Sequence, residues 1–250
     1  MTWSEQIFRY CERGHDPSLL AEPLNVLSNL AFLVAAIVAA RQLHATRPIY
    51  LASKSGSGAG HTVDATRAAA WGMILLVALI GIGSFLFHAA ATRWARLADV
   101  IPITAFMLVY LTFALRVLLE QSWAAVGIGL VAFVLALAAA SNLCPADDPS
   151  VPGCLNGTMA YVPALLAMAG VGAVLRWRGH PDAGALLVAA GLFLVSMAMR
   201  SADVSLCDAT RIAGYAAGLH ALWHLFNAAA LYLLLTVAVR ATKLSPALPG

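Results

Sequence analysis

Seven apolar segments, each long enough to cross a lipid bilayer, constrain this chain more than any other feature. They run approximately over Leu24–Gln42, Ala68–His88, Leu97–Leu119, Trp123–Ser141, Met159–Leu175, Gly184–Arg200 and Ala213–Arg240. A helix needs about 20 mostly apolar residues to span the hydrocarbon, and it satisfies its own backbone groups there. The breaks "ATRPIYLASKSGSGAGH", "CPADDPSVPGC" and "RWRGHPDAG" carry loop signals. The last segment exceeds a perpendicular span, which predicts tilt or projection from the membrane. The expected fold is all-α, a seven-transmembrane bundle forming a single domain over residues 1–250. A short polar segment, 1–22, precedes it and a flexible tail, 241–250, follows. No internal repeat of the kind found in duplicated transporters is visible.

Composition agrees. The chain is 61% hydrophobic and 11% charged, with a mean hydropathy of +0.82, whereas a soluble domain carries about 25% charged residues. A net charge of +3 without a basic cluster excludes a nucleic-acid partner. The opening "MTWSEQIFRYCERGHDPS" lacks the basic-then-apolar layout of a signal peptide, so the chain is expected to keep its N-terminus. Arg far exceeds Lys and Ala is abundant, a pattern of GC-rich bacterial genomes that points to an inner (cytoplasmic) membrane.

Orientation follows from Lys and Arg near the spans. Arg41, Arg47, Lys54, Arg67, Arg116, Arg176, Arg178, Arg240 and Lys243 fall on one side, and Arg9, Arg13, Arg93, Arg96, Arg200 and Arg211 on the other. This bias predicts an outside N-terminus and a cytoplasmic C-terminus. Cys11, Cys144, Cys154 and Cys207 then all lie on the outer face, where disulfides persist. Cys144 and Cys154 flank one short loop, which allows a local pair and leaves Cys11 for Cys207. Four cysteines allow three pairings, and spacing does not choose among them.

The polar residues inside the spans are costly and call for a partner or a task. In "GSFLFHAAATRWARLAD", Ser84 and His88 lie four apart on one helix face, and Asp99 opens the next span. In "LHALWHLFN", His220 and His224 repeat that spacing early in the last span. With an outside N-terminus, all five groups reach one depth, in the outer part of the bundle. Three histidines beside oxygen groups suit a catalytic zinc with three protein ligands and an open position. Asp99 is then placed to accept a proton from water, and Ser84 to hold a ligand or donate to an oxyanion. The blander reading makes each histidine a hydrogen-bonded packing residue. Glu22, Asn25, Ser28 and Asn29 mark an inward face of the first helix. Glu12, Asp16 and Glu22 cluster as calcium-type oxygen donors, although a capped start ahead of Pro23 explains Glu22 more simply.

These motifs, "GSFLFH", an aspartate eleven residues after its histidine, "HALWH" and the opening "YCER…AEPLNVLSN", resemble the alkaline ceramidases. Those enzymes belong to a seven-helix hydrolase superfamily that also includes adiponectin- and progestin-type receptors. The resemblance implies a zinc amidase that cleaves the N-acyl bond of ceramide or a related N-acyl lipid, its membrane lipid substrate. It implies zinc on His88, His220 and His224, water activation by Asp99, a motif serine at Ser84 and an oxyanion-stabilising tyrosine at Tyr161. It implies a Cys11–Cys207 disulfide, and calcium on Glu12 and Glu22, with Arg9 and Gly14 standing where the family has an aspartate and an asparagine. The alternatives are a phospholipid acyl-ester hydrolase, a lipid-binding receptor-like protein with structural zinc closed by Asp99, and a haem-binding electron carrier.

Overall fold

The computed structural model describes residues 2–46, 58–143 and 154–243. The first span is broken into α1 (Pro23–Ser28) and α2 (Leu30–Ala45), and α3 (Gly58–Ala90) and α4 (Arg93–Phe113) follow. After a π-helical turn at Ala114–Leu118 come α5 (Trp123–Asn142), a tight turn at Cys154–Tyr161, α6 (Val162–Trp177) and α7 (Ala183–Ala202). A two-stranded hairpin, β1 (Arg211–Ile212) with β2 (Tyr215–Ala216), leads into α8 (His220–Ala241). Seven helical stretches are long and apolar enough to cross a membrane, and this is an integral membrane protein. Asp99 sits in the second turn of α4, since that helix begins at Arg93 rather than Leu97.

The last span corrects the sequence reading. Ala213–Leu219 is not helical, and α8 starts at His220. Ala213 and Gly214 take φ of +51° and +85°, the left-handed pair that a two-residue hairpin needs. An apolar composition had concealed a turn. The break between α1 and α2 has a side-chain cause: Ser28 Oγ and Asn29 Nδ2 both donate to the Asn25 carbonyl, at 2.9 and 2.7 Å, competing with the helix ladder there.

α8 is the central element, buried over most of its length, whereas α5 is peripheral and largely exposed. It packs on α7, α2 and α3, while α3 packs most closely on α4. That close packing has a local cause. A Cβ on Gly83 would lie 2.0 Å from the Ala98 carbonyl oxygen, so only glycine lets the two backbones approach. Ser84 and Asp99, their immediate neighbours in sequence, are brought together by this contact.

We call the bundle end that carries the N-terminal segment the top. Ile7 N donates to the Ala91 carbonyl at 2.6 Å and Arg93 N to the Glu5 carbonyl at 3.1 Å, lacing this segment over the α3–α4 turn. A disulfide joins Cys11 to Cys207. Cys144, the expected partner of Cys154, lies outside the described residues, as do tail residues 244–250.

Candidate metal centre at the top of the bundle

Three histidines meet at the top. His88 comes from the last turn of α3, His220 opens α8 and His224 follows one turn later. Each is 1% exposed, and one ring nitrogen from each lies within 4.8 Å of the others. Two of the rings have their outward nitrogen fixed. His88 Nδ1 donates to Glu22 Oε2 at 2.5 Å. Ser28 spends its proton on the Asn25 carbonyl, so its oxygen accepts from His224 Nδ1 at 2.7 Å. Both partners therefore leave a bare Nε2 pointing inward, the tautomer that a metal requires. His220 Nδ1 is buried with no hydrogen-bond partner among the described residues. A buried nitrogen is rarely left so, and a metal ligand bond is a natural use for it. This donor set fits zinc.

Ser84 Oγ lies 3.5 Å from His224 Nε2 and hydrogen-bonds the half-buried Asp99 carboxylate, which also feels His88 and Arg200. Among the described residues, the group within reach of one ion is the three histidines, and Asp99 is not part of it. Tyr161 stands one layer away. Its ring packs 5.2 Å from Trp223 and under the Arg200 guanidinium at 5.5 Å; Trp223 in turn stacks on His220. Tyr161 also lines an apolar cavity that continues down the bundle past Ile103, Phe106, Met168, Val171 and Leu231.

Helix starts at the top are capped by distant carboxylates. Asp203 Oδ1 accepts from the backbone N–H groups of Leu219 and His220 at 2.7 and 3.0 Å, and its Oδ2 accepts from Cys11 N at 3.0 Å. These bonds satisfy the orphan donors of α8 and set the height of His220. Glu12 does the same for α1, accepting from Leu24 N and Asn25 N at 2.6 and 2.9 Å and from the Tyr215 hydroxyl. Tyr10 stacks on His220 with ring centres 3.8 Å apart. Burial pushes its phenol up to about 12, so the group stays neutral.

The calcium expectation does not fit the residues present. Glu22 Oε1 pairs with Arg13 Nε at 2.6 Å, and its Oε2 serves His88 and Asn25 Nδ2. Burial works to raise the Glu22 carboxyl, but His88, Arg13 and Asn25 together hold it below the ordinary range. Glu12 is committed to the α1 start. Asp16 is exposed, with Oδ1 accepting from Ser18 N. The cation paired with Glu22 is Arg13.

Sequence reasoning missed Arg13, Arg200, Asp203 and Tyr10. None lies at a helical repeat from a histidine. A visible signal was the buried-charge rule applied to Asp203 and Arg200, which flank the end of a span and so need partners. Glu22 was singled out, but as a calcium donor rather than as the carboxylate that orients His88.

The model of the ceramidase family matches residues 7–245. No curated protein gives a significant match. With nearly the whole chain aligned and a buried three-histidine cluster at its top, this protein belongs to the ceramidase family.

Proposed function

We propose that the protein is a zinc-dependent amidase of the membrane that hydrolyses the N-acyl bond of ceramide or a related N-acyl lipid. Family membership implies amide hydrolysis and a ceramide-type substrate. The observation that carries the zinc assignment is the convergence of His88, His220 and His224, with the outward nitrogens of His88 and His224 fixed and their inward ones bare. A zinc held there supplies Lewis acidity and makes water a stronger acid. Asp99 takes the proton from the attacking water and returns it to the leaving amine. Once Asp99 is protonated, Ser84 is free to turn its hydroxyl proton from that carboxylate to the developing oxyanion, and Tyr161 assists from the cavity wall. The apolar cavity receives the acyl chain, so the carbonyl arrives at the histidines while the chain stays in a lipid-like medium.

The side facing an oxidising compartment is the top. Cys11–Cys207 lies at the same end as the histidines, and disulfides persist outside the cytoplasm. Together with the Lys and Arg bias, this supports a topology with the N-terminus and the site outside the inner (cytoplasmic) membrane of a bacterium and the C-terminus within. Metal analysis of the purified protein, coupled to mass spectrometry of lipids incubated with it, tests the proposal. One zinc per chain and release of free fatty acid from N-acyl lipids is expected. Zinc-free active protein, or release confined to ester-linked chains, overturns it.

A further inference from the structure

We infer that Arg13 is a built-in cation that replaces calcium in this chain, pinning Glu22 so that Glu22 holds His88 in its metal-ready orientation. Arg13 is 3% exposed, and its guanidinium gathers five oxygens. Nε donates to Glu22 Oε1 at 2.6 Å, and one terminal nitrogen donates to the Asp16 and Ser18 carbonyls at 3.0 and 2.8 Å. The other donates to the His88 and Ala89 carbonyls at 2.8 and 3.2 Å. A carboxylate and several carbonyls converging on one positive centre is the ligand chemistry of a hard divalent cation. Here a planar fork of five donors fills the same role.

The location gives that fork a consequence. The two carbonyls of His88 and Ala89 belong to the last turn of α3, whose C-terminal acceptors have no partner within the helix. Arg13 satisfies them and, through Glu22, also fixes the ring of His88. Backbone and side chain of one metal ligand are thus both tied to the N-terminal segment, with the Cys11 disulfide two residues away. A calcium ion beside this guanidinium would meet repulsion at contact distance. Arg13 is a positioning residue, since it touches the histidine's supports and not the reacting atoms.

The zinc arm of the test rests on the proposed function, while the calcium arm does not. Full-length protein in detergent is compared as the native form, Arg13→Ala and Arg13→Lys. Thermal midpoints are read in EGTA and in millimolar CaCl2, and zinc affinity by chelator competition. The native midpoint is expected to be the same with and without calcium. Arg13→Ala is expected to bind zinc roughly 10–100-fold more weakly, the usual effect of losing such a partner. Calcium is expected to raise its midpoint and recover part of that affinity, because the freed oxygens then suit the ion. Arg13→Lys keeps a charge but loses the fork, so it is expected to fold, weaken zinc and ignore calcium. A native midpoint that rises with calcium overturns the replacement. So does an Arg13→Ala protein that folds yet ignores calcium. Native zinc affinity in Arg13→Lys overturns the positioning role, including where Arg13→Ala fails to fold. Native protein that binds no zinc defeats the zinc reading alone and leaves the calcium comparison to decide Arg13.

Discussion

At the top of the bundle, side chains from remote parts of the sequence tie the helix ends that carry the site. Asp203 caps α8, Glu12 caps α1, and Arg13 closes α3. One layer below, the cavity wall meets through apolar side chains such as Ile103, Phe106 and Val171, with Asn227 a rare polar neighbour. The difference matches what the proposed reaction asks of each region. Attack on an amide requires groups fixed to a fraction of an ångström, which directional, charge-assisted bonds provide. A flexible acyl chain requires only a dry, shaped volume, and dispersion contacts tolerate variation in how it is filled. The bilayer sharpens the contrast, because an unsatisfied polar group at that depth has no water to turn to.

If the top is the chemical half, its substitutions must separate metal, proton transfer and alignment. The largest effect is expected for His220→Ala, which removes a ligand: zinc content and turnover should both fall to background, read by metal analysis and fatty-acid release. One retained zinc per chain would break the assignment. Next comes Asp99→Asn, which should keep the zinc and lower turnover by roughly 10²–10⁴-fold, the usual value of a positioned acid–base. Loss of zinc in this variant would instead make Asp99 a ligand and favour a closed, structural site. Gly83→Ala drives a methyl into the Ala98 carbonyl and should part α3 from α4. A misplacement near 1 Å costs about 10²-fold in rate, so turnover should drop while zinc stays, with a lower thermal midpoint as the structural check. The smallest effect is expected from the lower region. Ala164→Phe on the cavity wall should leave zinc and thermal midpoint near native and shift preference toward shorter acyl chains. The added phenyl ring takes up the room of several methylenes, each worth on the order of 10-fold in a pocket. Equal losses for all chain lengths would show that the cavity does not hold the chain.

Much of the architecture was legible because the membrane reads length and composition directly. Runs such as Trp123–Asn142 leave little alternative to a spanning helix. The histidine pair on α8 was legible because i, i+4 spacing fixes a common face whatever surrounds it. The region before α8 was misread for the complementary reason. Ala213–Leu219 is apolar enough to extend a span, and only positive backbone angles at Ala213 and Gly214 turn it into a hairpin that sends Tyr215 to Glu12. The role of Glu22 was hidden because its partners lie 9 and 66 residues away in sequence, beyond any local pattern.

The sequence by itself determined that this chain carries seven segments long and apolar enough to cross a membrane, and three histidines at spacings that suit one metal, with an aspartate and a serine close by. Periodicity and hydrophobic length are local properties, and a bilayer enforces them residue by residue. Only the tertiary structure decided that Arg13 pairs with Glu22, that Glu22 and Ser28 set the histidine tautomers, and that Gly83 brings Asp99 beside Ser84. Those outcomes depend on which oxygen meets which nitrogen across helices, and packing alone brings such distant partners within 3 Å.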